Sequence, residues 1–164
     1  MQYTLRKATV SDIPAIRDLF TEMLESIYAP DAVPVCAPAA PDYYFSGGDD
    51  WICVAEADGV IVGFLAIEVH REEPAFLYYD DCCVRASWRN CGIGSSFLDA
   101  ARSYGIRLGI PAAILHVESH NTAAQRLYRR HGFSPLREDG SRVCMICHFH
   151  EQSPEIPQGG TQDV

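Results

Sequence analysis

The feature that most constrains the fold is a strand, a glycine-containing turn, a helix and a second strand in direct succession. Ala75 to Val84 has the composition of a β-strand, and a helical pattern begins at Gly92. Ala112 to Glu118 is again apolar and β-like. Because a helix joins the two strands, we predict that they are parallel neighbours in one sheet.

The rest of the chain completes a mixed sheet. Thr9 and Asp12 have the spacing of a capping box, and apolar residues then recur at helical spacing from Ile13 to Ile27. Asp58-Gly59 predicts a tight hairpin turn. We predict an α/β fold, a central mixed twisted sheet with helices on both faces, in one domain over residues 1–150, followed by a flexible tail at 151–164. The other predicted elements are strands at Tyr3–Ala8, Trp51–Ala57, Val60–Val69, Phe133–Leu136 and Arg142–His150, and a helix at Asn121–His131 that ends at Gly132.

The segment from Ala29 to Asp50 is rich in proline and glycine. Such a stretch does not form a long regular element, although a short helical turn fits between Pro41 and Phe45. A loop of this length is typical of a cover over a binding site. We expect the pocket for a second substrate to come from Ile27 to Asp50 and from His70 to Pro74.

Charge narrows the classes of partner. The 164 residues include 13 basic and 22 acidic side chains, for a net charge of −9. This balance argues against a general nucleic-acid or anionic-membrane binder. No apolar run is long enough for a membrane span, and the first residues lack the pattern of a signal peptide. We therefore expect a cytoplasmic protein.

The charge is divided along the chain. Residues 1–80 hold 4 basic and 14 acidic side chains, whereas residues 85–142 hold 9 arginines and 4 acidic side chains. One part of a site could thus favour a cation and another an anion, although a solvated surface produces the same pattern. The acidic residues near the expected loops are Asp49, Asp50, Glu68, Glu72, Glu73 and Asp80.

Seven cysteines without an export signal are expected to be reduced, and most of them to be buried. Cys144, Cys147 and His148 match the short string of a haem-attachment site. In a strand, however, residues 144 and 147 point to opposite faces, so their thiols could not bind one ion. We therefore predict no metal or haem here.

The turn from Arg89 to Ser95 contains Gly92 and Gly94 at the start of a helix. Glycines let a backbone approach a ligand closely, and a helix N-terminus presents free N–H groups to an anion. An ordinary tight turn explains the same residues equally well. The turn is not a P-loop, because no Gly-Lys-Ser/Thr follows, and its Gly-x-Gly lacks the third glycine of a dinucleotide fingerprint.

A second pattern lies in the next helix. Asn121 and Tyr128 are seven residues apart and so share one helix face. Taken alone, Asn121 is explained as a helix cap and Tyr128 as a packing residue.

Together, the two patterns resemble the signature of the GNAT N-acetyltransferase superfamily, from about Tyr3 to His150. Its Arg/Gln-x-x-Gly-x-Gly/Ala motif is matched by Arg89, Gly92 and Gly94. Its Asn-x-x-Ala-x-x-Leu-Tyr-x-x-x-Gly-Phe motif is matched by Asn121, Ala124, Leu127, Tyr128, Gly132 and Phe133.

The resemblance implies an enzyme that uses acetyl-CoA and no metal. It implies that two strands splay to admit the acyl-CoA, that Asn121 orients the cofactor, and that Tyr128 protonates the departing thiolate. A phenol is a suitable acid for a thiolate, because their pKa values are comparable. The implied cofactor-binding residues are Cys82, Cys83, Val84, Arg89, Asn90, Cys91, Gly92, Ile93, Gly94, Ser95, Asn121 and Tyr128.

An attacking amine must first lose a proton, and the candidate bases are Asp80 and Asp81. Successive strand residues face opposite sides, so only one of them should face the cleft unless a bulge intervenes. We favour Asp80. The other carboxylate would then be paired with a backbone group or an arginine.

The functional prediction is direct transfer of an acetyl group to a primary amine on a small, cationic acceptor. An acidic pocket attracts cations and discourages acidic acceptors. The alternatives are a protein N-terminus or lysine as acceptor, a non-catalytic acyl-CoA-binding module, and a covalent cysteine intermediate, which we disfavour. A homodimer through the apolar strand at 143–149 is compatible with the sequence.

Overall fold

A computed structural model describes residues 1–150, so the predicted tail at 151–164 lies outside the described residues. Three helices and seven strands follow the predicted order. The helices are α1 (Ile13–Ile27), α2 (Ile93–Arg107) and α3 (Thr122–Arg130), and the strands are β1 (Thr4–Lys7), β2 (Trp51–Ala57), β3 (Val60–His70), β4 (Phe76–Val84), β5 (Ala112–Glu118), β6 (Ser134–Asp139) and β7 (Arg142–His148).

The seven strands form one sheet in the order β1-β2-β3-β4-β5-β7-β6. The predicted parallel pair is confirmed, since β4 and β5 run parallel and α2 connects them. All the other neighbours are antiparallel. The strand that the sequence offered for dimerisation, β7, pairs with β5 and β6 of its own chain.

Helices cover both faces of the sheet. On one face, Ile16 and Leu19 of α1 pack with Phe64 of β3 in a buried cluster. On the other face, Phe97 of α2 packs with Leu115 of β5 in a second, larger cluster. The sheet therefore lies between two hydrophobic cores, and a group entering between two of its strands would meet both layers.

The local signals read from the sequence act as expected. The Thr9 backbone N–H donates to the Asp12 carboxylate at 2.8 Å, just before α1 begins. Asp58 and Gly59 both have positive φ, as a tight hairpin of this kind requires. Gly132 follows α3 with φ of +89°.

Two features of the C-terminal strands bear on the predictions. Strand β6 runs to Asp139 rather than ending at Leu136, because its residues are exposed and pair with β7 without an apolar pattern. Cys144 and Cys147 are both buried, and only Cys147 belongs to the core under α2.

Within residues 1–150, no three histidine, cysteine or acidic side chains are close enough to hold a metal ion. None of the helices described is long and apolar enough to cross a membrane.

Candidate active site

The candidate site is a cleft that opens where β4 and β5 separate. Their ladder holds three pairs and ends at Tyr79 and Leu115. Beyond this point β4 stays with β3, and β5 stays with β7. A cavity of about 770 Å³ lies between the diverging strands. The backbone groups along the free edge of β4 can therefore pair with an extended ligand.

Asp80 and Asp81 both line this cleft. Between the pairs Leu65–Cys82 and Ile67–Tyr79, strand β3 contributes one residue and β4 contributes two. This is a β-bulge, and its extra residue breaks the alternation that would send the two carboxylates to opposite faces. From the sequence we expected only one of them to face the cleft unless a bulge intervened. The bulge is present, and both residues line the cleft.

The two carboxyl groups differ in their surroundings. Burial, then the charges of Asp80 and Glu68, raises the pKa of Asp81 to about 7. The pKa of Asp80 is also raised, by burial and then by the charge of Glu68. Asp80 is nevertheless the more exposed of the two residues. Asp81 is thus held where a carboxyl group exchanges protons near neutral pH.

Part of the proline-rich segment packs beside the acidic corner, by which we mean Glu68, Asp80 and Asp81. Its short helical turn, Asp42–Phe45, presents Tyr43 and Tyr44. The Tyr43 hydroxyl donates to Glu68 at 2.7 Å, and that of Tyr44 lies 3.5 Å from the Asp80 carboxylate. Burial raises the pKa of both phenols, so both remain proton donors. The helical turn expected near Pro41 therefore contacts Glu68 and Asp80, although none of its residues lines the cavity.

The turn from Arg89 to Ser95 closes the other end of the cleft. Asn90 and Gly92 have positive φ, of +59° and +85°. The first backbone bond within α2 runs from the Ser96 N–H to the Gly92 carbonyl, so the N–H groups of the first turn lack helical partners. The same turn lines the cavity, so these N–H groups are available to an anion bound at this end of the cleft.

The two glycines of this turn have different tasks. Gly92 provides the left-handed conformation before α2. Gly94 provides space, because a Cβ there would lie 2.8 Å from Cδ2 of Leu127 in α3. Gly94 lines the cavity as well, so the same glycine allows α2 and α3 to pack closely and leaves the turn open towards the cleft.

Helix α3 presents the two residues of the second motif to the cleft. Asn121 caps the helix by accepting a hydrogen bond from the Ala124 N–H at 3.2 Å, and it also lines the cavity. The ring of Tyr128 packs edge-on against Phe133 at 5.9 Å. Burial, followed by the neighbouring Cys82 and Cys83 thiols, raises the pKa of Tyr128 well above its usual range. The phenol therefore keeps its proton beside the strand that carries the two acids.

The cysteines of the site are poor nucleophiles. Burial raises the pKa of Cys82 to about 12 and places that of Cys83 well above its usual range. The Cys83 thiol donates to the Met23 sulfur at 3.1 Å. The Cys91 thiol contacts Met1 at 3.2 Å rather than lining the cavity. Since the thiolate is the nucleophile, these surroundings oppose a covalent intermediate.

Helix α1 contributes a wall that the sequence did not indicate. Its C-terminal half lines the cleft, and the Tyr28 hydroxyl donates to Glu118 at the end of β5, at 2.8 Å. Helical periodicity identified the buried side of α1 but could not place its end over the cleft. Of the predicted acceptor segments, Ile27, Tyr28, Pro34 and Cys36 line the cavity, and no residue of 70–74 does. Lining residues that sequence reasoning did not select for the site include Phe20, Met23, Leu24, Ser26, His116, Glu118 and Arg142.

Few of the acidic side chains in residues 1–80 lie at the cleft. Asp49 pairs with Arg71, and Asp50 accepts a hydrogen bond from the Val69 N–H at 2.8 Å. Both carboxylates hold the start of β2 against the end of β3. Of the six acidic residues near the expected loops, only Asp80 lines the cavity. The charge near the bulge comes from Asp80, Asp81 and Glu68.

A cleft between splayed parallel strands, with a glycine turn at one end, defines an acyl-CoA-dependent transferase. Residues 13–133 match the model of the acetyltransferase (GNAT) family. The chain belongs to this family: it is an acetyltransferase that takes acetyl-CoA as co-substrate.

Known proteins agree with this assignment. The chain is 28% identical over 142 residues to the protein named "Putative phosphinothricin acetyltransferase YwnH" of Bacillus subtilis, which covers 80% of this chain and 83% of that one. The fold is similar to that of PaiA N-acetyltransferase from Thermoplasma acidophilum in complex with coenzyme A. That match has a TM-score of 0.74 and 18% identity, and covers 91% of this chain and all of that one. It is also similar to YncA from Salmonella typhimurium with acetyl-CoA, with a TM-score of 0.74 and 17% identity over 93% and 97% of the two chains.

Proposed function

We propose that this enzyme transfers the acetyl group of acetyl-CoA directly to the primary amine of a small, cationic acceptor. One observation carries the proposal: a carboxyl group with a pKa of about 7, Asp81, and a protonated phenol, Tyr128, line the same cleft. Transfer from a thioester to an ammonium group needs both a base and an acid.

In the proposed reaction, Asp81 takes a proton from the ammonium group, directly or through water. The free amine then attacks the acetyl carbonyl, so that a C–N bond forms and the C–S bond breaks. Tyr128 gives its proton to the departing sulfur. The nitrogen of the new C–N bond loses its second proton, which returns to Tyr128 directly or through water. Burial raises the pKa of Asp81 most, and the negative charge of the neighbouring Asp80 raises it further. The base is thus Asp81 rather than Asp80, which the sequence alone favoured.

The cofactor would enter between β4 and β5. Its extended arm would pair with the free edge of β4 at Cys82, Cys83 and Val84, and its pyrophosphate would meet the N–H groups of the turn before α2. Asn121, at the start of α3, would contact the arm from the side opposite β4. The dimensions support this placement, since a cavity of about 770 Å³ reaches from the bulge to the turn. The residues proposed for the turn are Arg89, Asn90, Cys91, Gly92, Ile93, Gly94 and Ser95.

The acidic corner formed by Glu68, Asp80 and Asp81 supports a cationic acceptor. Negative charge there raises the local concentration of cations and opposes acidic molecules. Arg142 lines the far wall of the cleft and could bind an acidic group instead. The acceptor preference therefore depends on which charge acts more strongly on the acceptor, that of the acidic corner or that of Arg142. We propose that the acidic corner has the stronger effect.

A panel of amines with acetyl-CoA tests the proposal. It would contain spermidine, an aminoglycoside, nourseothricin, phosphinothricin, glutamate and a peptide with a free N-terminus, with acetylated products identified by mass spectrometry. We expect the polycations to be acetylated fastest and their KM to rise with salt, because salt screens the acidic corner.

Three results would contradict parts of this proposal. Faster acetylation of glutamate or phosphinothricin, abolished in Arg142→Gln, would assign the acceptor to the arginine wall. Preference for the peptide would indicate a protein substrate. Acetyl-CoA binding without turnover of any amine would favour a binding module.

A further inference from the structure

A chain of three side chains leads away from the predicted pyrophosphate turn. Nε2 of His131 lies 3.0 Å from Oγ of Ser95, which lines the cofactor cleft in the first turn of α2. On the other side of the ring, Nδ1 lies 3.4 Å from Oδ1 of Asp99. The imidazole thus links a hydroxyl group in the cleft to a carboxylate one helical turn further along α2.

These residue types occur in hydrolases, but the surroundings here are different. Asp99 is 74% exposed, so solvent screens it, whereas the aspartate of a hydrolase triad is buried. Ser95 also belongs to the turn expected to hold pyrophosphate. The arrangement is therefore suited to control a hydrogen bond to phosphate.

We propose that His131 is a positioning residue for the cofactor, because its protonation state decides which way the Ser95 hydroxyl donates. This inference rests on the proposed placement of the pyrophosphate at the turn before α2. When the ring is neutral, Asp99 favours the proton on Nδ1, so Nε2 accepts the proton of Ser95. When the ring is protonated, Nε2–H donates to Oγ, and the Ser95 O–H is free to donate to a phosphate oxygen.

Other charged or titratable groups lie around the His131 ring. His131 lines a second cavity of about 370 Å³, on the side away from Ser95. The titratable or charged groups there are Asp99 and Arg102 of α2, Arg130 of α3, Tyr79 of β4 and Cys147 of β7. A pyrophosphate at the turn would add negative charge and favour the protonated ring.

Binding of 3′-dephospho-CoA as a function of pH tests the proposal. This probe retains the pyrophosphate but lacks the 3′-phosphate, whose own second ionisation near pH 6 would obscure the result. Pantetheine, which lacks both, reports on the rest of the cleft, including Asp81. We expect the Kd of dephospho-CoA to rise roughly tenfold from pH 5.5 to pH 8, the size of one hydrogen bond to a charged group, and the Kd of pantetheine not to follow it.

Three variants separate His131 from the other titrating groups. His131→Gln and Ser95→Ala should each abolish the slope, leaving a Kd constant within about twofold. Ser95→Ala should bind as weakly at pH 5.5 as the wild type does at pH 8. His148→Gln is the matched control, since His148 is exposed on β7 and lines neither of the two cavities. It should retain the wild-type slope.

An NMR titration of the His131 ring in the wild type provides a test that needs no variant. The midpoint of its chemical-shift titration should move to higher pH when dephospho-CoA is bound, and should not move with pantetheine. A flat wild-type profile, or a slope that persists in His131→Gln, overturns the role of His131 and leaves the proposed function standing. Failure of the wild type to bind dephospho-CoA at any pH overturns the placement of the pyrophosphate as well.

Discussion

The carboxyl groups of Asp80 and Asp81 face the same cleft although the two residues are neighbours in one strand. The bulge opposite β3 makes this possible, and it brings two negative charges together in a partly buried place. Two such groups titrate as a pair, and the more buried one, Asp81, is held near pH 7. The activity and the stability of the enzyme should therefore both respond to this pair.

The pH dependence of acetyl transfer should follow the ionisation of the Asp81 carboxyl group. A base must be deprotonated, so kcat/KM for the amine should rise with pH through about 7. Asp81→Asn should lower kcat/KM by roughly a hundredfold or more and remove this limb of the profile. Asp80→Asn should retain the limb and shift it to lower pH, because the Asp80 charge helps to raise the pKa of Asp81. A limb that disappears in Asp80→Asn but persists in Asp81→Asn would reverse the two roles.

The same group should make the folded state less stable at high pH. The pKa of Asp81 is about 7 in the fold against 3.8 for the free side chain, so the folded state holds a proton that the unfolded state has released between these values. Stability therefore falls as pH rises toward 7. We expect Asp81→Asn to be more stable than the wild type at pH 8, by on the order of 2 kcal/mol in the free energy of unfolding after allowance for solvent in the cleft. The difference should vanish near pH 4, as thermal denaturation at the two pH values would show.

Loss of the Tyr128 hydroxyl should affect chemistry and not cofactor binding. Tyr128→Phe keeps the contact with Phe133 and removes only the proton donor. We expect kcat to fall roughly a hundredfold, with the Kd of acetyl-CoA unchanged within about twofold. The matched control is Tyr104→Phe, in α2, whose hydroxyl donates to the Asp49 backbone outside the cleft. Wild-type kcat in Tyr128→Phe would exclude it as the acid.

Local patterns in the sequence predicted most of the fold. Strand β5 and helix α1 have the predicted bounds, because an apolar run marks β5 and a period of 3.6 residues is visible over the whole of α1. Strand β6 was predicted too short at its C-terminal end, because an exposed edge strand lacks such a period. The parallel pairing of β4 and β5 followed from the helix between them.

The site could be predicted only where a single segment forms it. The turn before α2 and the Asn121 cap are local, and motif spacing identified both. The bulge at Asp80 and Asp81 depends on the register between β3 and β4, which neither strand determines alone. The contacts Tyr28–Glu118 and Ser95–His131 join residues 90 and 36 positions apart, and no spacing rule relates them. Tertiary packing therefore supplies the wall that α1 adds to the cleft and the contact between His131 and the turn before α2.

The pair formed by Arg6 and Asp12 should set the acid stability of the domain. Arg6 donates from Nη1 and Nη2 to the two carboxylate oxygens of Asp12, at 2.8 and 2.9 Å. The hydrogen bond from Arg6 is the largest effect on the Asp12 carboxyl group, and together with the Thr9 N–H it lowers the pKa of Asp12 to about 2 against an unperturbed 3.8. The lowered pKa stabilises the fold above about pH 4, and this contribution is lost as pH falls toward 2.

Asp12→Asn should therefore cost about 2 kcal/mol at pH 7, the free energy that corresponds to a shift of this size. The cost should shrink as pH falls toward 2, where Asp12 is protonated in the wild type as well. Urea denaturation at pH 7 and at pH 2.5 measures both values. Asp18→Asn, at an exposed position of α1, removes a carboxylate from the same region and should cost less than 0.5 kcal/mol at either pH. An equal loss in the two variants, or a loss in Asp12→Asn that does not change with pH, would show that the Arg6–Asp12 pair does not stabilise the start of α1.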